Sequence, residues 1–268
     1  MSIIIKTQAQ IDLMRISCKL AAEVLDYIEP YVKPGVTTLE LDKLCHDYIV
    51  NVQNAYPSPL NYQPNPKGPA YPNSICTSVN AEICHGIPND KPLKNGDIVN
   101  LDITVYKNGV HGDTSRTYMV GDKVTPQAKR LVQITYECMW LGIKQVRPGN
   151  FLGDIGHAIQ THAEKNAYSV VQEFCGHGIG EGFHEDPQVL HYGKAKTGPQ
   201  LQAGMIFTIE PMINQGKRAV RFSSNGWTAL TKDRSLSAQF EHTILVTHDG
   251  YEVLTVSPNM PAIPDFMK

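Results

Sequence analysis

Four acids and one histidine stand out because their surroundings do not suit a charge. Asp102 lies in Asn100-Leu101-Asp102-Ile103-Thr104, Glu210 in Phe207-Thr208-Ile209-Glu210-Pro211, and Glu241 in Gln239-Phe240-Glu241-His242-Thr243-Ile244. Each is a carboxylate in an apolar, strand-like run, where burial without a partner is unfavourable. Asp113 follows Asp102 across Lys107-Asn108-Gly109. If Asn108-Gly109 forms a two-residue hairpin turn, Asp102 stands opposite Ser115 and shares a sheet face with Asp113, at the ~7–8 Å of a diagonal pair. Taken alone, Asp113 beside Gly112 reads equally well as a turn acid. His177, in Cys175-Gly176-His177-Gly178-Ile179-Gly180, is flanked by glycines that let backbone pack closely, which suits a ligand held against a partner. A lone histidine is more often a core or surface residue.

Taken together, these residues point to metal chemistry. Four negative charges confined to one site repel unless cations balance them, and two dications match the count. A shell of carboxylate oxygens with one imidazole nitrogen suits Mn²⁺, Fe²⁺, Co²⁺ or Zn²⁺ and argues against a thiolate zinc or a copper site. The reaction type that follows is metal-assisted hydrolysis.

The elements that must position these residues are legible in outline. Thr7 with Gln10 reads as a capping box, and Ile11, Met14, Cys18, Ala21, Leu25 and Ile28 recur at helical spacing until Pro30. Thr37 with Glu40 repeats the signal ahead of Leu41, Leu44, Tyr48 and Val52, and Thr125-Pro126 opens a third helix that ends before Pro148. Strands are expected over residues 97–106, 110–120, 205–213 and 239–246. An ordered repeat links the halves: Val32-Lys33-Pro34-Gly35 returns as Val146-Arg147-Pro148-Gly149, and His85-Gly86-Ile87 as His177-Gly178-Ile179. Gly96-Asp97-Ile98, followed by Asp102, returns as Gly204-Met205-Ile206, followed by Glu210. Two similar halves, each bringing carboxylates on strands, can meet at one shared site. Residues 56–72 carry six prolines, which neither a helix nor a central strand tolerates, and are read as an ordered surface loop.

Composition removes other classes. The chain has 268 residues, 41% hydrophobic, with 24 Lys+Arg against 26 Asp+Glu, and no basic block to hold a phosphate backbone. Six scattered cysteines form neither a C-x-x-C pair nor a disulfide framework, which fits a reducing cytoplasm. The opening Met1-Ser2-Ile3-Ile4-Ile5-Lys6 is too short an apolar run for a signal-peptide core or a membrane span. There is no G-x-S-x-G elbow and no Walker loop, and His184-Glu185 lacks the second histidine of a zincin motif, since Gln188 stands there. Cys84-His85 as a thiol nucleophile rests on sequence adjacency alone.

At these residues the sequence resembles the type I methionine aminopeptidases, from the first helix to about Leu254. The resemblance is carried by Asn73-Ser74-Ile75-Cys76-Thr77-Ser78-Val79-Asn80, Ile83-Cys84-His85-Gly86-Ile87-Pro88, Gly112-Asp113-Thr114-Ser115 and Cys175-Gly176-His177-Gly178-Ile179-Gly180. Phe183-His184-Glu185, Thr208-Ile209-Glu210-Pro211-Met212 and Ser237-Ala238-Gln239-Phe240-Glu241-His242-Thr243 add to it. It implies an α/β pita-bread fold, in which two pseudo-symmetric halves form a curved, mainly antiparallel sheet covered by helices. It also implies one catalytic domain over 1–268, with pseudo-repeats of about 1–123 and 124–256.

Carried over residue by residue, the resemblance implies that Asp102 binds one metal, His177 and Glu210 the other, and that Asp113 and Glu241 bridge them. Glu210 is the implied proton shuttle. His85 and His184 match histidines that contact the substrate near the scissile nitrogen and the oxyanion, although each could be structural. Tyr62, Tyr71, Cys76, Phe183 and Trp227 match positions lining a pocket for a Met side chain, where aromatic rings and a thiol suit a flexible thioether. The implied activity is removal of an initiator Met from nascent chains whose second residue is small, by a cytoplasmic monomer in transient contact with the ribosome. A proline-specific aminopeptidase or prolidase of the same fold shares the five ligands but normally carries a separate N-terminal domain. A non-catalytic binding protein of that fold tends to lose ligands, and none is lost here. The short stretch from His184 to Glu210 leaves no room for the helical insertion of the type II enzymes. Departures from the family pattern are the long link at residues 63–70, Pro59 in place of a frequent cysteine, and Ala81-Glu82.

Overall fold

The computed structural model describes residues 2–267. The first half runs α1 (Gln8–Ile28), α2 (Thr38–Asp47), β1 (Tyr56–Pro57), β2 (Cys76–Val79), β3 (Glu82–Cys84), β4 (Ile98–Lys107) and β5 (Val110–Met119). The second runs α3 (Pro126–Ile143), α4 (Leu152–Lys165), β6 (Ser169–Val170), β7 (Gly176–Gly178), β8 (Glu185–Val189), β9 (Ile206–Ile209) and β10 (Met212–Asn214). It continues through β11 (Val220–Phe222), β12 (Ala229–Thr231), β13 (Ser237–Gln239), β14 (His242–Val246) and β15 (Tyr251–Val253).

The helices begin where the capping signals place them. Thr7 Oγ1 accepts the Gln10 N–H and the Gln10 side chain accepts the Thr7 N–H, and Thr37 and Glu40 repeat this reciprocal pair. The apolar stripe of α1, from Ile11 through Ile28, is buried against the β4–β5 hairpin, and the two share a core with α2. A second core joins α3 and α4 to β9, β10 and β14. All strand pairs are antiparallel, in sheets ordered β1-β4-β2 with β5 on β4, β15-β14-β9-β7-β8, β13-β10-β6, and β11-β12-β3. Among the described residues no helix is long and apolar enough to cross a membrane.

The repeat seen in the sequence has a counterpart in backbone hydrogen bonds. Gly96 N–H donates to Val120 O at 2.8 Å and Val120 N–H to Asp97 O at 2.9 Å; Gly204 donates to Val246 O and Val246 to Met205 O, both at 2.9 Å. The two glycines adopt left-handed φ of 107° and 89°, which a side chain would oppose. Likewise Gly35 N–H reaches Leu93 O at 2.8 Å and Gly149 N–H reaches Leu201 O at 3.1 Å. The same turn thus launches a helix and ties it to the strand entry in each half.

Three expectations need correction. The strand expected over 205–213 is two strands, β9 and β10, and that over 239–246 is likewise two, β13 and β14. Pro211 has no N–H to continue the ladder, and at both breaks the chain leaves one sheet for another. Glu210 and Glu241 therefore sit in the gaps between strands rather than within them. In the proline-rich stretch, Tyr56–Pro57 pairs with β4 as an edge strand, where a proline is tolerated, and Pro57, Ser58 and Pro59 are buried. The rest is a loop, exposed over most of residues 61–69 and buried again at Tyr71, closed by Asn61 N–H to Tyr71 O at 2.9 Å and Tyr71 N–H to Tyr62 O at 2.8 Å.

Candidate metal centre

The β4–β5 hairpin fixes the first two acids. Asn108 and Gly109 both take positive φ, 53° and 87°, and Lys107 pairs with Val110, so the turn has two residues. The register sets Asp102 opposite Ser115 and Thr104 opposite Asp113, which puts the two carboxylates diagonally on one face. Thr104 Oγ1 donates to Asp113 Oδ1 at 2.8 Å.

The second half supplies the remaining donors, His177 from within β7 and Glu210 and Glu241 from the gaps after β9 and β13. Glu241, in the β13–β14 gap, exchanges backbone hydrogen bonds with Ser115, at 3.1 Å for Glu241 N–H and 3.4 Å for Ser115 N–H. Polar side chains sew the same seam: Thr114 Oγ1 donates to Glu241 O at 2.8 Å, Thr243 Oγ1 to Asp113 O at 2.7 Å, and Asn100 Nδ2 to Gln239 O at 2.9 Å. The halves thus meet through backbone at the acids themselves. His177 is on β7, where an added Cβ at Gly178 would lie 2.1 Å from Asp186 O, so only glycine lets β8 approach this closely. The His177 Nδ1–H donates to Gly178 O at 2.9 Å, which leaves the Nε2 lone pair facing the acids. Nε2 lies 3.7 Å from Asp113 Oδ2 and 3.6 Å from Glu210 Oε1. Ligand atoms of Asp113, His177 and Glu241 all fall within 4.8 Å of one another.

The electrostatics of this cluster call for cations. Burial raises the pKa of Asp102, Asp113, Glu210 and Glu241 above the usual carboxylate range, and the neighbouring acids add repulsion for Asp113, Glu210 and Glu241. Burial holds His177 neutral, its pKa pushed down to about 4. Four converging carboxylates and a neutral imidazole with a free nitrogen fit divalent cations and little else.

All five candidate ligands line one cavity of about 490 Å³, together with Tyr62, Tyr71, Cys76, His85, Phe183, His184 and Trp227. Tyr62 OH lies 2.8 Å from His184 Nδ1, and the His184 ring packs 4.2 Å from that of His177. Burial pushes His184 down to about 2 and His85 to about 4, so both are neutral. His85 has φ 55° and turns its ring edge-on to Phe174 at 5.3 Å. Tyr71 is almost fully buried and donates to Gly86 O at 2.7 Å, so it shapes the wall as well as lining it. Trp227 packs edge-on to Tyr71 and donates from Nε1 to Pro69 O at 3.1 Å, which docks the proline-rich loop on the cavity rim.

Sequence reasoning missed the groups that hold the acids. Thr208 Oγ1 accepts the His177 N–H at 3.0 Å and donates to Glu210 Oε1 at 2.7 Å. Thr104 and Thr208 were findable, one from the hairpin register and the other from its place two residues before Glu210. Gln239 Nε2, 3.2 Å from Glu210 Oε2, and His191 Nε2, which accepts the Glu210 N–H at 3.1 Å, carry no such local signal.

Residues 12–248 match the model of metallopeptidase family M24. The chain belongs to that family. Family membership implies divalent-metal binding, in agreement with the donor set. An M24 relative, the methionine aminopeptidase of Escherichia coli K12, is 55% identical over 266 residues, 98% of each chain. The crystal structure of methionine aminopeptidase from Rickettsia prowazekii superposes with a TM-score of 0.91 at 56% identity, over 95% of this chain and all of that one. The prolidase from Pyrococcus horikoshii superposes with 0.73 at 20% identity, covering 95% of this chain and 64% of that one, a likeness of fold alone. The M24 architecture is the pita-bread fold, with its two pseudo-symmetric halves meeting at the acids.

Proposed function

We propose that this chain is a methionine aminopeptidase, hydrolysing the first peptide bond of peptides and nascent chains that begin with Met followed by a small residue. The observation that carries the reading is the identity of 55% over nearly the whole length to an enzyme of that name. Four carboxylates and His177 around a cavity walled by aromatic rings and Cys76 support it. In this reading Asp102 would hold one metal, His177 and Glu210 the other, and Asp113 and Glu241 would be shared between them, for two ions of Co, Mn, Fe or Zn per chain. Divalent ions, when bound, supply a Lewis acid for the scissile carbonyl and acidify water. Glu210 moves the proton from water to the leaving amine.

In the tautomer with its proton on Nε2, neutral His184 accepts a hydrogen bond from the Tyr62 hydroxyl at Nδ1 and offers its Nε2–H to the oxyanion. His85 contacts the scissile nitrogen. Tyr62, Tyr71, Cys76, Phe183 and Trp227 enclose the Met side chain and exclude water from it. We read residues 1–268 as one catalytic domain with halves of about 1–123 and 124–256, working as a cytoplasmic monomer in transient contact with the ribosome.

The test is hydrolysis of Met-Ala-Ser, Met-Lys-Ser and Ala-Pro-Ser by metal-loaded protein. Release of Met from the first alone is expected. Cleavage of Ala-Pro-Ser alone identifies a proline-specific enzyme instead, and no turnover of any peptide identifies a binding protein.

A further inference from the structure

The turn between β7 and β8 carries Phe183 and His184 into the cavity, and its own backbone makes few regular ladder bonds. One side is held by β5: His111 N–H donates to Gly180 O at 2.8 Å and the His111 ring stacks on Phe183 at 5.3 Å. The other side is held from near the start of the sequence. Lys6 is a charged side chain only 3% exposed, and its ammonium pairs with Glu185, itself 10% exposed. Glu185 Oε1 accepts the Gly182 N–H at 2.9 Å, so the same carboxylate closes the turn and receives the lysine. An added Cβ at Gly180 would stand 2.3 Å from Lys6 Nζ, which places the ammonium against the turn backbone as well. Gln10 Nε2 adds a bond to Glu181 Oε1 at 2.9 Å, and Lys6 N–H anchors the arm to Gly204 O at 2.8 Å.

A buried ion pair contributes little net stability but, once formed, punishes the loss of either partner. Here it ties an N-terminal residue to the one adjacent to His184. We propose that Lys6 is a positioning residue for hydrolysis: through Glu185 it fixes the 180–185 turn, and so sets where His184 meets the developing oxyanion. The inference rests on the reading of His184 given above. Lys6 touches no substrate. Its effect is on the geometry of a group that acts in the transition state, so it falls on kcat rather than on KM.

The experiment is a double-mutant cycle on the metal-loaded enzyme with Met-Ala-Ser at saturating metal. Lys6→Met lowers kcat about ten- to a hundredfold, the scale of a small misplacement at a reacting group, with KM near that of the parent. In a His184→Ala background the same substitution changes kcat little, because its route of action is already gone. Lys6→Met/Glu185→Gln, which leaves no buried charge unpaired while an amide oxygen still accepts from Gly182, recovers part of the loss. If Lys6→Met does not fold, this double variant runs the same cycle. An undiminished kcat in folded Lys6→Met, or an equal fold-loss with and without His184, overturns the proposal. Inactivity of the parent on Met-Ala-Ser overturns the proposed function instead.

Discussion

Replacing Thr208 by Val removes one hydroxyl that serves two candidate ligands while keeping the branched shape. The residue is fully buried, so no solvent fills in for the lost oxygen. The His177 N–H, now 3.0 Å from that oxygen, loses its acceptor, a penalty of about 1–3 kcal/mol for a buried orphaned donor. Glu210 loses a 2.7 Å hydrogen bond to a charged carboxylate, about 1.5–3 kcal/mol. Because both bonds orient candidate ligands, a large share of the loss is expected on metal binding rather than on folding. Removal of such supporting bonds weakens metal affinity about 10–100-fold, or about 1.4–2.8 kcal/mol. The assay is calorimetric titration of chelator-stripped protein with Mn²⁺, paired with Met-Ala-Ser hydrolysis against free metal. Thr208→Val shifts both curves to higher metal, while kcat at saturating metal stays near that of the parent. Thr208→Ser, which keeps the hydroxyl, binds metal like the parent. Parent-like affinity in Thr208→Val refutes the reasoning, and so does an equal loss in Thr208→Ser, which would assign the effect to the methyl group.

Gly178→Ala places a Cβ 2.1 Å from the backbone oxygen of Asp186, so β7 and β8 separate and urea unfolding shifts by about 3 kcal/mol or more; an unchanged midpoint counts against the close approach. Exhaustive chelation abolishes hydrolysis and, relative to protein in metal at about 100 times Kd, lowers Tm by about 5–10 °C for each ion removed, read by calorimetry with and without chelator. His242 is buried beside Thr255, and its pKa is pushed down to about 3, chiefly by burial and secondarily by Arg116. Its folded pKa lies below its unfolded one, so its contribution is complete above about pH 6.5 and falls by about 1.4 kcal/mol per unit as pH drops toward 3. His242→Gln therefore flattens the pH dependence of urea stability by one proton below pH 6.5, and an unaltered slope contradicts this.

Much of the site was legible because its signals are local. The Asn108-Gly109 turn dictates a hairpin register, and that register alone brings Asp102 and Asp113 to one face. The capping boxes at Thr7 and Thr37 fix where α1 and α2 begin. The Pro-Gly and Gly-x-Ile repeats mark matching turns whose hydrogen bonds agree between the halves. Strand continuity was misread at Glu210 and Glu241 because apolar periodicity runs through both breaks, and periodicity does not report which sheet a residue joins.

By itself the sequence determined the kinds of donor, their attachment to strand-like runs and one hairpin, and the repeat that lets two sets of acids face each other. The tertiary structure decided which atoms meet. It brought Glu241 onto Ser115, His177 between Asp113 and Glu210, and the Lys6 ammonium onto Glu185, a pair 179 positions apart. Local patterns encode turns and faces through short-range sterics and alternation, whereas a buried lysine has no local signature at all. Its partner exists only once the chain has folded back on its own first residues.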